Sequence, residues 1–297
     1  MNFTFRGVRG SIPCPGPNTV KYGGNTTCIE VRTDDNEIII LDAGTGIFPL
    51  AQLLLAELPL QCHVFISHSH WDHIQGLPFF TPLFIPGNTV RIHGGSDPIT
   101  QRDISEVLSR QMEYAYFPIR EAELNAQIEY ITLKDRQIIE VGAAKVENFL
   151  MCHPAIDFGY KISCDDKSLF FTGDHEWPYN IYDKEDENYA DFEQQIQQHY
   201  QSIIEFIRGV DVLIIDAAYT DEEYPAKQGW GHGTFSTSIK VARDAGVKHC
   251  YFTHHEPTRS DDALEHQYQL ALEKNAVGTV PNEPQFHLAR EGVTIEI

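Results

Sequence analysis

The stretch FISHSHWDH at positions 65 to 73 decides the fold class of this sequence. Its first two residues extend the apolar run CHV, and together they have the composition of a buried strand. Four side chains that can bind metals then follow closely: His68, His70, Asp72 and His73. Zinc, manganese and iron all accept imidazole nitrogen and carboxylate oxygen as ligands. A lone histidine in a loop commonly does no more than form a hydrogen bond, but four donors in this order predict a metal site.

The spacing of these four residues indicates two ions. His68 and His70 alternate along the chain, so both side chains can face one ion. Asp72 and His73 lie one turn further on, where they can face a second ion. We therefore expect a site for a pair of metal ions.

Two other short apolar segments also end on a histidine. Residues 146 to 153, VENFLMCH, end on His153, and residues 249 to 254, HCYFTH, end on His254. Ligands collect at the carboxyl ends of strands in α/β sheets, so both histidines are candidates to join the metal site. The spacing alone does not choose between His254 and its neighbour His255.

Two similar hairpins suggest that the chain has two related halves. Residues 28 to 44 and 160 to 174 each predict a strand, a tight Asp-Asp turn and a second strand that ends on an acidic residue. Apolar periodicity predicts helices between the strands, at residues 46 to 58, 191 to 209 and 234 to 246. We expect an α/β fold in which two β-sheets pack face to face and helices cover the outer faces.

The segment from 103 to 124 has two interpretations. It begins with an Asp-x-x-Glu capping signal and is expected to break at Pro118, next to an aromatic patch formed by Tyr114, Tyr116 and Phe117. The patch is either a lid over the site, or a contact with a partner subunit, or ordinary core packing.

Composition and charge exclude several classes of protein. The chain has 297 residues with an ordinary apolar share of 42%, and no linker divides it, so residues 1 to 297 are expected to form one domain. No apolar stretch is long enough to cross a membrane and the N-terminus lacks a signal-like pattern, so we expect a cytoplasmic protein. Its six scattered cysteines are expected to be reduced.

The net charge argues against long nucleic acids as partners. There are 22 basic and 43 acidic residues, which gives a formal net charge of −21. Because affinity for nucleic acid depends largely on neutralising phosphates, a chain without a basic stripe should bind long RNA or DNA poorly. A small anionic substrate that is held by metal charge is compatible with this composition.

The motifs resemble those of the metallo-β-lactamase fold hydrolases over nearly the whole chain. The signature of that superfamily is His-x-His-x-Asp-His, and its later motifs match His153 in MCHP, Asp174 in FTGDHE and His254 in YFTHHEP. The resemblance implies an αββα sandwich of two mixed sheets and two metal sites that share Asp174. The first site would be formed by His68, His70 and His153, and the second by Asp72, His73 and His254. It also selects His254 over His255.

Within the superfamily the sequence is most similar to the phosphodiesterase branch that includes tRNase Z. Residues 213 to 219, LIIDAAY, and 231 to 254 resemble the acidic motif, the His-x-Thr motif and the following helix of that branch. The resemblance makes His232 a catalytic histidine that Asp216 orients, although the branch usually has the longer glutamate at this position. Together with Asp72, these are the candidate catalytic residues. His232 has an alternative role as the cap of the helix that begins near Thr234.

Two further residues are expected around the ligands. Asp42, which ends a strand in LDAG, is either an acceptor for a ligand histidine or a simple turn residue. His175, next to Asp174, is expected to lie outside the ligand set.

The substrate that this likeness implies is a small phosphodiester. Residues 7 to 28, 174 to 179 and 254 to 257 resemble a bacterial and phage subgroup that includes enzymes that degrade cyclic mononucleotides. The expected chemistry is hydrolysis of a 3′,5′-cyclic nucleotide by a hydroxide that two metals share, with His232 as acid or phosphate stabiliser. Zinc is the first candidate metal, with manganese and iron as alternatives, and we expect a homodimer. The alternative functions are an RNA 3′-end endonuclease, another metallohydrolase such as a lactonase, and a metal-dependent ligand sensor without turnover.

Overall fold

Two seven-stranded sheets form the centre of the protein in the computed structural model, which describes residues 1 to 297. The first sheet contains β1 (Asn2–Gly7), β2 (Cys28–Arg32), β3 (Ile38–Leu41), β4 (Gln61–Phe65), β5 (Thr89–Gly94) and β6 (Gln127–Thr132). The second sheet contains β7 (Ile138–Val141), β8 (Ala144–Leu150), β9 (Phe158–Cys164), β10 (Lys167–Phe171), β11 (Val212–Asp216), β12 (His249–Thr253) and β13 (Gln285–Leu288). The last strand, β14 (Thr294–Glu296), returns to the first sheet and pairs with β1.

Both sheets repeat one pattern of pairing. The first has the order β14-β1-β2-β3-β4-β5-β6 and the second, read from β7 to β13, follows the chain. In each, three antiparallel pairs are followed by three parallel pairs. The two hairpins that the sequence picked out, β2-β3 and β9-β10, occupy equivalent places in this pattern. The expectation of two related halves therefore has a counterpart in the topology.

Six α-helices cover the outer faces of the sheets. They are α1 (Ile47–Leu54), α2 (Trp71–Ile74), α3 (Ile104–Ser109), α4 (Tyr189–Ile207), α5 (Phe235–Ala245) and α6 (Asp261–Lys274). Short 3-10 helices lie at Leu55–Glu57, Leu77–Phe79, Thr81–Phe84, Arg110–Met112, Glu121–Glu123 and Tyr224–Ala226. In α1 the buried residues recur at helical spacing, at Ile47, Leu50, Ala51 and Leu54. None of the helices is long and apolar enough to cross a membrane.

The core is divided into three layers of apolar side chains. The middle layer fills the space between the sheets and includes Phe3, Ile39 and Tyr160. A second layer joins the first sheet to α1 and α3, and a third joins the second sheet to α4, α5 and α6. Sheets that are apolar on both faces need cover on both sides, which gives an αββα sandwich. The predicted fold class is confirmed.

The predicted helices at 46 to 58, 191 to 209 and 234 to 246 all form, with ends shifted by a few residues. Thr234 caps α5, because its side chain accepts a hydrogen bond from the backbone N–H of Thr237. Gly246 ends the same helix in the left-handed conformation at φ +64°. His232 therefore is not the cap of this helix, and that alternative is wrong.

The prediction for the segment from 103 to 124 was only partly correct. Asp103 forms the predicted capping box with Glu106, but α3 ends at Ser109, well before Pro118. The aromatic patch is not uniform either, since Tyr114 and Tyr116 are exposed whereas Phe117 packs against the core. Neither a pure lid nor pure core packing describes this segment.

The topology brings the candidate residues to one edge of the sandwich. Strands β3 and β4 are parallel in the first sheet, and β8, β10, β11 and β12 all run in one direction in the second. Their carboxyl ends carry the candidate residues of the site or lead directly to them: Asp42, His68, His153, Asp174, Asp216 and His254.

Two buried histidines on neighbouring strands of the first sheet are expected to make the fold sensitive to acid. His63 on β4 and His93 on β5 stack at 5.1 Å between ring centroids, with 3.0 Å between Nδ1 of His63 and Nε2 of His93. The pKa of His93 is lowered to about 3, mainly by burial and then by the nearby His63 and Arg91, and that of His63 is lowered to about 4, mainly by burial and then by Arg91. Both rings are therefore neutral in the folded state at pH 5, whereas an unfolded histidine with a pKa near 6.5 is charged.

The replacement His93→Leu should reduce the loss of stability on acidification. A depressed histidine pKa gives stability that is complete above about pH 6.5 and is lost as the pH falls toward the folded-state pKa. At pH 5 this amounts to about 2 kcal/mol for one such histidine. Urea unfolding of metal-free protein at pH 8 and pH 5 measures it, and the exposed His266→Gln is the control. If the free energy of unfolding falls between pH 8 and pH 5 by the same amount in His93→Leu and in the wild type, His93 accepts a proton in the folded state.

Candidate dinuclear metal centre

The first cluster of candidate ligands joins residues from both sheets. His68 and His70 follow β4, and His153 follows β8. Their ligand atoms all lie within 4.8 Å of one another. Nε2 of His153 is 3.0 Å from Nδ1 of His70. The alternation of His68 and His70 thus turns both rings toward one point, as expected from their spacing.

The second cluster is centred on Asp174, which follows β10. It also contains Asp72 and His73 on α2, and His254 directly after β12. The Oδ2 atom of Asp174 lies 3.2 Å from Nε2 of His73 and 3.3 Å from Nε2 of His254. It also lies 3.6 Å from Nε2 of His68, which belongs to the first cluster. One carboxylate oxygen therefore borders both clusters.

The geometry distinguishes His254 from His255. His255 points away from the cluster, and its Nε2 lies 2.8 Å from the carbonyl oxygen of Ala289. His254 has a left-handed backbone with φ +57°, and its Nε2 lies 3.2 Å from Oδ2 of Asp72. Gly10 lies against that ring so closely that a Cβ atom at this position would be 2.2 Å from it. Only a glycine fits there.

Buried oxygen atoms lie next to Nδ1 of two of the histidines. Oδ2 of Asp42 lies 2.7 Å from Nδ1 of His73, and Asp42 also accepts from the N–H and hydroxyl of Ser67. Asp42 has φ +62°, a left-handed backbone that asparagine and aspartate adopt more readily than most residues. Oδ1 of Asp157 lies 3.0 Å from Nδ1 of His68 without a hydrogen bond between them, and the hydroxyl of Ser67 lies 3.1 Å from the same nitrogen. Such acceptors leave Nε2 free to bind a metal.

Two of these supporting groups were not predicted from the sequence. Asp157 lies in the loop between β8 and β9, four residues after His153, and no pattern there distinguishes it from a turn residue. Ser11 donates its backbone N–H to Oδ2 of Asp72 at 2.7 Å. Ser11 lies in residues 7 to 28, which the sequence distinguishes only by their resemblance to a family. It acts through its backbone N–H, so its residue type does not reveal this role.

Charge in the second cluster favours a cation. Burial would lower the pKa of His73 and His254, but nearby carboxylates, above all Asp174, outweigh it and raise both well above the usual range. Burial would raise the pKa of Asp174, and the two histidines instead hold it well below its usual range. In the first cluster burial lowers the pKa of His153 to about 4, so its ring is neutral, as a ligand must be.

The donor set fits a pair of divalent ions. Nε2 of His68, Nε2 of His73 and Oδ1 of Asp174 are buried without any hydrogen-bond partner in the protein. Buried polar atoms without a partner are costly, and several in one cluster of candidate ligands fit the binding of a cation. Nitrogen and carboxylate donors suit zinc, manganese or iron. These residues therefore fit the expected metals.

His232 and Asp216 form a pair next to the second cluster. Oδ2 of Asp216 lies 2.8 Å from Nδ1 of His232, so the aspartate reaches the histidine despite being shorter than glutamate. The His232 ring stacks on that of His254 with 4.4 Å between centroids. Asp216 is fully buried, whereas His232 remains partly exposed to solvent. His175 lies outside both clusters, and its Nδ1 accepts the N–H of Cys152.

An aromatic cavity opens beside the His70 loop. It has a volume of about 480 Å³ and its lining includes Ser69, Trp71, Phe79, Arg110, Gln111 and Tyr116. Trp71 is 78% exposed and Tyr116 is 74% exposed, although both are large aromatic residues. A cavity of this size is typical of sites for small molecules.

A family model described as "Beta-lactamase superfamily domain" matches residues 37 to 255. That range includes every candidate ligand. The chain belongs to the beta-lactamase superfamily. It is a hydrolase of the metallo-β-lactamase fold, and this family binds divalent metal ions.

Individual relatives are similar along their whole length. The chain is 25% identical to a protein named Ribonuclease Z from Agathobacter rectalis, over 89% of this chain and 91% of the relative. The metallo-beta-lactamase fold protein YhfI from Bacillus subtilis has a TM-score of 0.66 at 17% identity, with 99% of both chains covered. A diphosphatase from the PhnP family has a TM-score of 0.63 at 21% identity, over 100% of this chain and 97% of that one. The last two comparisons establish the fold.

Purified protein should contain close to two transition-metal ions per chain, and Asp174→Ala should lower this content because its carboxylate borders both clusters. Metal analysis by mass spectrometry after reconstitution measures the content. The exposed Asp166→Ala, on the β9-β10 turn, is the matched control and should retain both ions. Trace metal in the wild-type protein would contradict the assignment of a dinuclear centre.

Proposed function

We propose that this protein is a dinuclear-metal phosphodiesterase whose substrate is a 3′,5′-cyclic nucleotide. The observation that carries the proposal is the His232–Asp216 pair, which stands 2.8 Å apart directly beside the carboxylate and histidine cluster. A site that only stored or sensed metal would have no use for a partly exposed histidine held by a buried carboxylate.

The ligands are assigned by the two clusters. We assign His68, His70 and His153 to one ion, Asp72, His73 and His254 to the other, and Asp174 to both. A pair of divalent ions, when bound, supplies hydroxide near neutral pH and stabilises negative charge on phosphoryl oxygens. Zinc is the first candidate because histidine and carboxylate ligands suit it, with manganese and iron as alternatives.

His232 has the geometry of a proton donor. Because the Asp216 carboxylate can only accept, Nδ1 of His232 must carry the proton of their hydrogen bond. Nε2 is then the atom that faces outward, and in the charged ring it donates to the leaving alkoxide or to a phosphate oxygen. The buried carboxylate stabilises the positive charge on the ring while it does so. Asp72 contributes by holding its ion, and Ser11 fixes the carboxylate of Asp72 through its N–H.

The aromatic cavity supports a nucleotide as substrate. Trp71 begins α2, between the candidate ligands His70 and Asp72 in the sequence, and its exposed side chain lines the cavity. A flat base can stack on Trp71 or Tyr116 across the cavity. A cyclic nucleotide carries one phosphate, which the ions neutralise locally, so the formal net charge of −21 is no obstacle to its binding.

RNA 3′-end cleavage is the second candidate function. It is favoured by the relative named Ribonuclease Z, which covers 89% of this chain. The acidic character of the protein opposes it, because long RNA is bound through many phosphates. A direct comparison of precursor tRNA with cyclic nucleotides separates the two candidates.

His232→Ala should lower the turnover number by a factor of roughly 10² or more, the usual scale for losing a general acid or an oxyanion donor. Metal content should stay at the wild-type value because His232 is not among the assigned ligands. Asp216→Asn should also lose turnover, since its amide can present a donor to Nδ1 of His232. Steady-state kinetics with parallel metal analysis measures both, and unchanged turnover in His232→Ala would remove the proton-donor role.

Cyclic AMP or cyclic GMP should be cleaved much better than bis(p-nitrophenyl) phosphate, which lacks a base. Tyr116→Ala should raise KM for the nucleotide, because a base that stacks on an aromatic side chain contributes roughly 1 to 3 kcal/mol in proteins that bind single-stranded nucleic acid. The generic substrate should be hardly affected.

Tyr114→Ala is the control for this variant. Tyr114 is also exposed, but its hydroxyl donates a hydrogen bond to Glu123 and its side chain does not line the cavity. Equal losses on both substrates would indicate a folding defect, and preference for precursor tRNA over every cyclic nucleotide would select the second candidate function.

A further inference from the structure

A buried carboxylate that the proposed chemistry does not use lies two residues after Asp174. Glu176 is 5% exposed. Its Oε1 accepts hydrogen bonds from the hydroxyl of Tyr224 at 2.7 Å and from the N–H of Gly229 at 2.8 Å. Its Oε2 accepts the N–H of Gly231, also at 2.8 Å. One carboxylate therefore holds three donors that belong to a single stretch of chain.

That stretch, residues 220 to 233, connects β11 to α5 and is called the 220–233 loop. Gly229 and Gly231 have φ angles of +88° and +92°, which L-residues with a side chain rarely adopt. A Cβ atom on Gly231 would lie 2.2 Å from Nδ1 of His153. The loop thus packs its backbone directly against a candidate ligand.

Gly231 connects Glu176 to both sides of the site. Its N–H is held by Glu176, and its carbonyl oxygen lies 2.9 Å from Nδ1 of His153. A carbonyl accepts only, so Nδ1 of His153 carries its proton and Nε2 is left free for a metal. The next residue along the chain is His232. A displacement of this one glycine would therefore move both histidines.

We propose that Glu176 is a positioning residue that sets His153 and His232 together through the backbone of Gly231. The negative charge of the side chain is essential, because all three groups that face it are donors. A glutamine would keep the shape but turn an NH₂ group toward at least one of these donors. The proposal rests on the proposed function only for the role of His232.

The variant Glu176→Gln is the central test, because it is nearly isosteric and preserves packing. Glu223→Gln is the matched control on the same loop. Glu223 accepts from the N–H of Thr220 and from Arg259, at 2.8 and 2.6 Å, and no hydrogen bond joins it to Gly231. A loss of general stability would affect both variants, whereas loss of positioning should affect only the first.

Two measurements need no substrate. Hydrogen exchange of metal-free protein should show amides 229 and 231 exchanging about tenfold or more faster in Glu176→Gln, with strands β10 and β11 unchanged. Competition with a zinc chelator should show that Glu176→Gln binds one of two zinc ions roughly tenfold more weakly. Tenfold is the low end of the usual loss of affinity when a group that supports a metal ligand is removed. Glu223→Gln should match the wild type in both.

Kinetics provides the third measurement. With zinc saturating, Glu176→Gln should lower the turnover number for bis(p-nitrophenyl) phosphate about tenfold with KM within twofold, because His232 is displaced while the substrate still meets the ions. Wild-type exchange rates and zinc affinity in Glu176→Gln would overturn the positioning role. A wild-type protein that cleaves no phosphodiester would instead overturn the proposed function, and the exchange and zinc measurements would still decide the role of Glu176.

Discussion

The site depends on one carboxylate oxygen that histidines from both sheets approach. Oδ2 of Asp174 is 3.2 Å from His73 and 3.3 Å from His254, which come from the first and the second sheet. Burial opposes charge on both rings, but nearby carboxylates, above all Asp174, raise the pKa of both, so this buried cluster favours positive charge. The middle layer of the core fixes the spacing between the sheets, so packing remote from the edge determines whether these atoms can share an ion.

The sequence predicts which residues cluster at this edge, because candidate metal ligands are particular residue types at strand ends. Histidine after an apolar strand is a strong local signal, and β4, β8 and β12 deliver theirs as predicted. Supporting contacts leave a weaker signal. Ser11 acts through its backbone, Asp157 resembles an ordinary loop residue, and Glu176 acts on a loop some fifty residues away along the chain. Such roles depend on tertiary proximity, which a local pattern does not contain.

Secondary structure was predictable where the local signals agreed with tertiary packing. Helix α5 has a threonine cap, an apolar stripe and a terminating glycine, and it forms almost as expected. Helix α3 has its predicted cap but ends at Ser109, because the chain then turns to bury Met112 in the core and expose Tyr114. Helix α6 was missed, although Ser260 caps it and two acidic residues follow in its first turn. Its apolar face is weak, so helical periodicity does not predict it.

The left-handed backbones of Asp42 and His254 have a consequence for the evolution of this fold. One follows β3 and the other β12, and both adopt a conformation that costs most non-glycine residues about 1 to 3 kcal/mol. A glycine at either position would relax the chain and would remove a group that touches the metal cluster. Selection for thermal robustness alone would thus favour glycine at these two positions.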